Sequence, residues 1–178
     1  MNLLHAITGV LAYIQREARI RRDPVGYARS IGVKVGNNVH FYGMKAGMFG
    51  TEPWLIEIGN NVHITTDCLF VTHDGGTLIL RGEVPDLELT APIVIGNDVY
   101  IGVRTIILPG VRIGNRCIIG AGSVVARNIP DNSLAAGVPA RVIKHIDEYL
   151  EKAKASSLHL GHLQGEDKAR ELKKLFNR

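Results

Sequence analysis

A chain of 178 residues with 46% apolar composition can bury one substantial core and is too short for two full-sized domains. Aromatic residues make up only 6% while glycine occurs 20 times, which excludes a core of large rings and points to many turns around small and β-branched side chains. The formal charge is +4, but the signs are mixed from Lys144 onward, so the chain carries no nucleic-acid-binding arm on this reading.

The opening stretch, MNLLHAITGVLAYIQREARIRR, places Leu3, Leu4, Ile7, Leu11 and Ile14 at helical spacing. It predicts a short amphipathic helix packed on the body, inside a helical cap over residues 1–30. An early basic region followed by a small-residue cleavage site is absent, and so is an apolar run long enough to span a bilayer; neither a leader nor an integral membrane segment is expected. Arg16, Arg19, Arg21, Arg22, Arg29 and Lys34 crowd this region against Glu17 and Asp23. A solvated face is the ordinary reading of such a cluster, and a polyanion-binding patch is the other.

From residue 31 to 143 the pattern changes. A six-residue unit appears first in broken form, as Val35-Gly36-Asn37-Asn38-Val39 and Ile58-Gly59-Asn60-Asn61-Val62, interrupted by excursions near 42–54 and 73–92. It then runs clean: Ile95, Ile101, Ile107, Ile113, Ile119 and Val125 return at every sixth position. Gly96, Gly102, Leu108, Gly114, Gly120 and Ala126 follow them, and Val99, Thr105, Val111, Cys117, Ser123 and Ile129 stand four places on. A helix turning once per 3.6 residues would scatter such a pattern around its surface, whereas six preserves the period of two that a strand needs. Each unit is thus a short strand and a corner, three units close an eighteen-residue triangular coil, and stacked coils bury one another's interiors.

Cys68 and Cys117 lie in apolar stretches without metal or redox spacing, which predicts buried free thiols and a reducing, cytoplasmic setting. Pro130 and Pro139 end the regular coils. Beyond them, in an extension over 144–178, Ile146, Tyr149, Leu150 and Ala153 predict a helix covering the open end of the stack. A second helix is expected from about Gln164 to Phe176, with Leu172, Leu175 and Phe176 as its apolar side.

His73, in FVTHDGG, stands where a coil gives way to the longer excursion. An imidazole is partly unprotonated near neutral pH and can take a proton from a hydroxyl or amine and return it to a leaving group. From the residues alone, His73 is either such a base or a surface residue, and Asp74 is either its orienting partner or a turn former before Gly75-Gly76.

The run PIVIGNDVYIGVRTIILPGVRIGNRCIIGAGSVVARNIPDNSLAAGVPARVIKHI (92–146), with IGAGSVV and AGVPARVI inside it, closely resembles the hexapeptide-repeat acyltransferases, within them the galactoside, maltose and xenobiotic O-acetyltransferase branch. The resemblance implies an all-β, left-handed parallel β-helix, an exception to the usual right-handed crossover, with helices at both ends. It also implies a cytoplasmic homotrimer with active sites between subunits, and acetyl-CoA as cosubstrate with no metal. His73 becomes the catalytic base, with Asp74 or Asp67 orienting it. By the same resemblance the backbone at Val103 and Ala121 receives the pantetheine arm, with Gly102, Gly120 and Gly122 keeping that groove open, and Arg127, Arg141 and Lys144 serve the phosphates. Tyr100, on an outside corner where relatives carry tryptophan, and Trp54, with Met48, are candidates for the acceptor wall. The implied reaction is direct acetyl transfer to a hydroxyl of a sugar, nucleotide sugar or polysaccharide precursor. The competing readings are an amino-sugar N-acetyltransferase, a catalytically silent scaffold, and a zinc hydratase resembling the γ-type carbonic anhydrases. The last requires three converging histidines, and the chain has His63 and His73 in the coil region with His40 further back, but lacks that family's close histidine pair in the following coil.

Overall fold

The computed structural model describes the backbone of residues 3–177 and the side chains of residues 8–177. Two compact units divide the chain, one running to Ile146 and one starting at Asp147. The first unit begins with α1 (Leu3–Arg22) and α2 (Pro24–Ser30). Their break is local: Pro24 has no N–H with which to continue α1, and the Asp23 carboxylate accepts from the Gly26 N–H at 2.8 Å, capping the new helix. Contrary to the packing that its periodicity predicts, α1 leaves Leu11 52% and Ile14 56% exposed, while Ile20 is buried at 3%. Ile20 projects from the side of the helix roughly opposite to them, so docking through Ile20 turns their stripe away from the body. The side chains of Leu3, Leu4 and Ile7 lie outside the described residues.

Three parallel sheets form the faces of a prism. Sheet A contains β1 (Lys34–Val35), β3 (Ile56–Ile58), β6 (Ile93–Ile95) and β9 (Arg112–Ile113). Sheet B contains β2 (Val39–Phe41), β4 (Val62–Ile64), β7 (Val99–Ile101), β10 (Cys117–Ile119) and β12 (Ser133–Gly137), closed by the antiparallel β13 (Ala140–His145). Sheet C contains β5 (Leu69–Phe70), β8 (Ile106–Ile107) and β11 (Val124–Val125). The architecture is the left-handed parallel β-helix that the repeat and its resemblance imply. The column Ile95, Ile101, Ile107, Ile113, Ile119 and Val125 points inward, at most 1% exposed, and so does the companion column from Val99 to Ile129, at most 4%. Thr105 and Ser123 belong to that second column without cost, because their hydroxyls donate to the carbonyls of Gly102 and Gly120 at 2.7 and 2.6 Å. Cys68 and Cys117 are buried, and desolvation pushes both thiols up.

A polar ladder joins the coils along the corner between sheets A and B. The Oδ1 atoms of Asn60, Asn97, Asn115 and Asp131 each accept, at 2.8 Å, the backbone N–H of Asn37, Asn60, Asn97 and Asn115 in the coil before. The next residue at each corner, from Asn38 through Asn61, Asp98 and Arg116 to Asn132, adopts a φ of 52–57°, which Asn and Asp tolerate better than other side chains.

Coil length decides where the site lies. Cα partners stand 18 residues apart in the regular coils, as in Val94 and Arg112 or Val99 and Cys117, but 23 apart for Lys34 and Glu57 and 37 for Glu57 and Val94. The longer excess leaves the prism at the corner between sheets C and A, and part of the shorter one leaves there too. The Phe70 N–H bonds the Met48 carbonyl at 2.8 Å, so residues near 48 run beside β5 as the sheet-C edge of the first coil. The two excursions therefore emerge one above the other.

The unit from Asp147 carries most of α3 (Ile146–Ala155) and all of α4 (Gly165–Leu175), close to the expected spans. In α4 the pairs Arg170 with Asp167 and Lys174 with Glu171 lie one turn apart, while Leu175 and Phe176 are exposed. Among the described residues no helix is long and apolar enough to cross a membrane.

Candidate active site

At the corner between sheets C and A the shorter excursion meets the longer one. Glu52 lies four residues past Met48, and His73 lies three residues past Phe70, so the lateral pairing of those strand ends brings the two side chains together. His73 Nδ1 is 2.9 Å from Glu52 Oε2. The Thr72 hydroxyl donates to the same oxygen at 2.6 Å, and the Thr51 hydroxyl donates to Glu52 Oε1 at 2.7 Å. These donors, Thr72 first, then Thr51 and His73, pull the Glu52 carboxyl down to about 2, and in return the hydrogen bond and charge of Glu52 raise the His73 pKa. An ionised carboxylate can only accept, so in the neutral ring Nδ1 carries the proton and Nε2 keeps a lone pair for chemistry.

The orienting group is thus Glu52, and neither carboxylate expected from the sequence has that role. Asp74 instead caps the short 3-10 helix Gly75–Leu80, accepting from the Gly76 N–H at 2.9 Å, and adds only a minor charge contribution at His73. Asp67 sits at the other end of sheet C, between β4 and β5, and bonds Lys45 at 2.5 Å. Nothing in the local sequence around His73 points to Glu52. The signal available is the pair of coil lengths, which brings the longer excursion and part of the shorter one to one corner.

The longer excursion folds back on itself. Asp74 N–H donates to the Leu89 carbonyl at 2.8 Å, Ala91 N–H donates to the Thr72 carbonyl at 2.9 Å, and His73 bridges Thr90. Arg81 ties the arms together through the Leu87 carbonyl at 3.0 Å and the Glu88 carboxylate at 2.5 Å. Glu52, His73, Asp74, Thr77, Leu78, Arg81 and Glu88 line the resulting cavity of 240 Å³. Larger grooves on sheet A (420 Å³) and on α4 (680 Å³) contain no histidine or other candidate base beside a partner of this kind.

The other expected residues separate into two sets. Arg127, exposed just after β11, occupies the same C–A corner as His73 two coils further on, about 10 Å along the stack. Trp54 also belongs to this corner: it is 61% exposed, beside a small cavity with Lys34, Glu57 and Pro92, whereas Met48 is a core residue at 2%. By contrast, Val103 and Ala121 lie in adjacent coils at the B–C corner, where the Gly122 N–H donates to the Val103 carbonyl at 2.7 Å. Arg141 and Lys144 belong with sheet B. A bulge at Ile143 sets Arg141 opposite Ala136 and Lys144 opposite Leu134, and since those partners are two residues apart, both cations project from one face.

Tyr100 was expected on an outer corner and instead stands mid-strand on the outside of sheet B, in register with His63 and Ile118 and 43% exposed. The glycines of the groove also differ from expectation. A Cβ on Gly102 would come within 2.5 Å of the Ala121 backbone N and one on Gly120 within 2.7 Å of the Ala136 Cβ, so these two permit coils to stack; Gly122, at φ 69°, faces open space. His40 and His63 stack on sheet B with ring centroids 4.9 Å apart, away from His73, and among the described residues no three His, Cys, Asp or Glu are grouped to hold a metal.

Residues 92–127 match the family of bacterial transferase hexapeptide repeats (six repeats). The chain is 49% identical to Protein CapG of Staphylococcus aureus over 121 residues, 68% of this chain and 70% of that one. It is 36% identical to the galactoside O-acetyltransferase of Escherichia coli strain K12 over 132 residues, 70% of this chain but only 60% of that enzyme. Among solved structures, a hexapeptide-repeat-containing acetyltransferase from Vibrio cholerae superposes with a TM-score of 0.53 at 26% identity, covering 68% of this chain and 78% of that one.

Proposed function

The chain belongs to the hexapeptide-repeat acyltransferases, and from that membership we propose that it transfers an acetyl group from acetyl-CoA to a hydroxyl of a sugar or sugar-containing precursor. The observation that carries this reading is the Glu52–His73 pair, 2.9 Å apart, beside a cavity. In the proposed step Nε2 removes the hydroxyl proton as the oxygen attacks the thioester carbon, and the same proton passes to the departing thiolate. The ester C–O bond forms, the C–S bond breaks, and no covalent enzyme intermediate is needed. The acceptor cavity presents Glu52, Asp74 and Glu88 with Arg81, groups that hydrogen-bond hydroxyls.

Within this reading the active site spans two copies in a homotrimer. His73 and Arg127 follow sheet C at one end, while Val103, Ala121, Arg141 and Lys144 lie towards sheet B at the other. One prism cannot fold its two corners together, whereas the C–A corner of one copy against the B–C corner of the next assembles base, pantetheine groove and phosphate-binding cations. The test is mass spectrometry after incubation with acetyl-CoA and a panel of sugars, amino sugars and nucleotide sugars. One acetyl group on an acceptor hydroxyl per CoA released is expected, with His73→Ala slower by about 10²–10⁴-fold. Acetylation confined to amines would replace the hydroxyl assignment, and unchanged turnover in His73→Ala would remove the proposed base.

A further inference from the structure

From the surface of α1 we infer a second interaction, independent of the acetyl-transfer site: the helix lies flat on membrane surfaces that carry anionic phospholipid. Val10, Leu11, Ile14 and Ala18 fall on one side of the helix at intervals that a 3.6-residue turn superimposes. Val10, Leu11 and Ile14 are 58%, 52% and 56% exposed. The buried Ile20 fastens the end of the helix from the far side, which leaves the apolar stripe pointing outward.

Its charge is one-sided. Arg16, Arg19, Arg21 and Arg22 occupy the last two turns against the single acid Glu17. Among the described residues none of the four arginines enters an ion pair, and the Arg16 guanidinium rests over the Tyr13 ring at 5.6 Å. Arg16 and Arg19 lie on the polar side, Arg22 borders the stripe next to Leu11 and Ala18, and Arg21, seven residues past Ile14, closes the stripe at its C-terminal end. Apolar side chains bordered by unpaired guanidinium groups match the boundary between acyl chains and anionic headgroups. A second copy of the helix would meet the stripe with the same four positive charges, which selects lipid as the occupant. The arginines also keep the helix in the surface plane, since none of the described helices can cross a bilayer.

The experiment is flotation of the whole protein with vesicles of phosphatidylcholine alone and of equal parts phosphatidylcholine and phosphatidylglycerol, at low and raised salt. Binding is expected on the anionic vesicles only, with release by salt. Leu11→Asp/Ile14→Asp and Arg19→Ser/Arg22→Ser are each expected to weaken vesicle partition on the order of tenfold or more, with circular dichroism, assembled mass and acetyl transfer to a soluble acceptor unchanged. Wild-type protein that stays unbound with anionic vesicles overturns the proposal. So does a Leu11→Asp/Ile14→Asp protein that keeps its vesicle binding but changes its assembled mass, because the stripe is then covered by another copy of the chain.

Discussion

Glu52 contributes to the site through its charge, which holds the His73 ring by Nδ1 and raises the pKa at which the imidazolium becomes neutral imidazole. The sign of the resulting pH dependence follows directly. A base acts when neutral, so activity should rise with pH through a value above the ordinary 6.5. Glu52→Gln keeps the shape and removes the charge, so the acidic limb of the kcat/KM profile should move to lower pH while kcat falls about 10–100-fold, as for other partners that orient an imidazole. A profile whose limb stays in place would detach Glu52 from the proposed base, whatever the fall in rate. Thr72→Val tests the same carboxylate from its other side: with the largest contribution to its lowered pKa gone, Glu52 is expected to titrate at higher pH, measurable by carboxyl NMR.

Coil stacking at the scale of the element tolerates little extra volume where backbones meet. Gly102 is buried, its N–H donates to the Ile119 carbonyl at 2.9 Å, and a methyl group there would meet backbone rather than a movable side chain. Gly102→Ala is therefore expected to destabilise the fold by about 1–3 kcal/mol in denaturant melts, whereas adding a methyl at the open Gly75 should have a much smaller effect. Equal midpoints for the two variants would show that the coils can separate to accept the methyl. The bulge in β13 illustrates a different dependence on elements: without Ile143 as the extra residue, Arg141 and Lys144 would project from opposite faces of the hairpin.

At the scale of the whole molecule, the proposed division of the site between two corners would make activity a property of neighbouring copies. A His73→Ala protein and an Ala121→Phe protein, the latter with its groove blocked, should each be inactive alone. After unfolding and refolding together they should recover on the order of a quarter of wild-type activity, the fraction of random interfaces that pair an intact base with an intact groove. No recovery from mixed assemblies of normal mass would place the whole site within one chain.

Much of this molecule is legible in its residues taken one after another. The sixfold return of Ile and Val, the companion columns and the position of His73 at the end of a coil all depend on neighbours a few places apart, and burial follows because a period of six keeps each column on one side of a strand. Tyr100 defeats the same reasoning, since the repeat alone does not separate a corner position from a strand's outer face. Glu52 is beyond it for a stronger reason: its contact with His73 spans 21 residues and exists only because two excursions of different length return to the same corner. The sequence by itself determined the coil, its core and the candidate base. Tertiary structure alone decided which carboxylate holds that base and which residues stand too far round the prism to join it, because those relations are set by how coils stack rather than by distance along the chain.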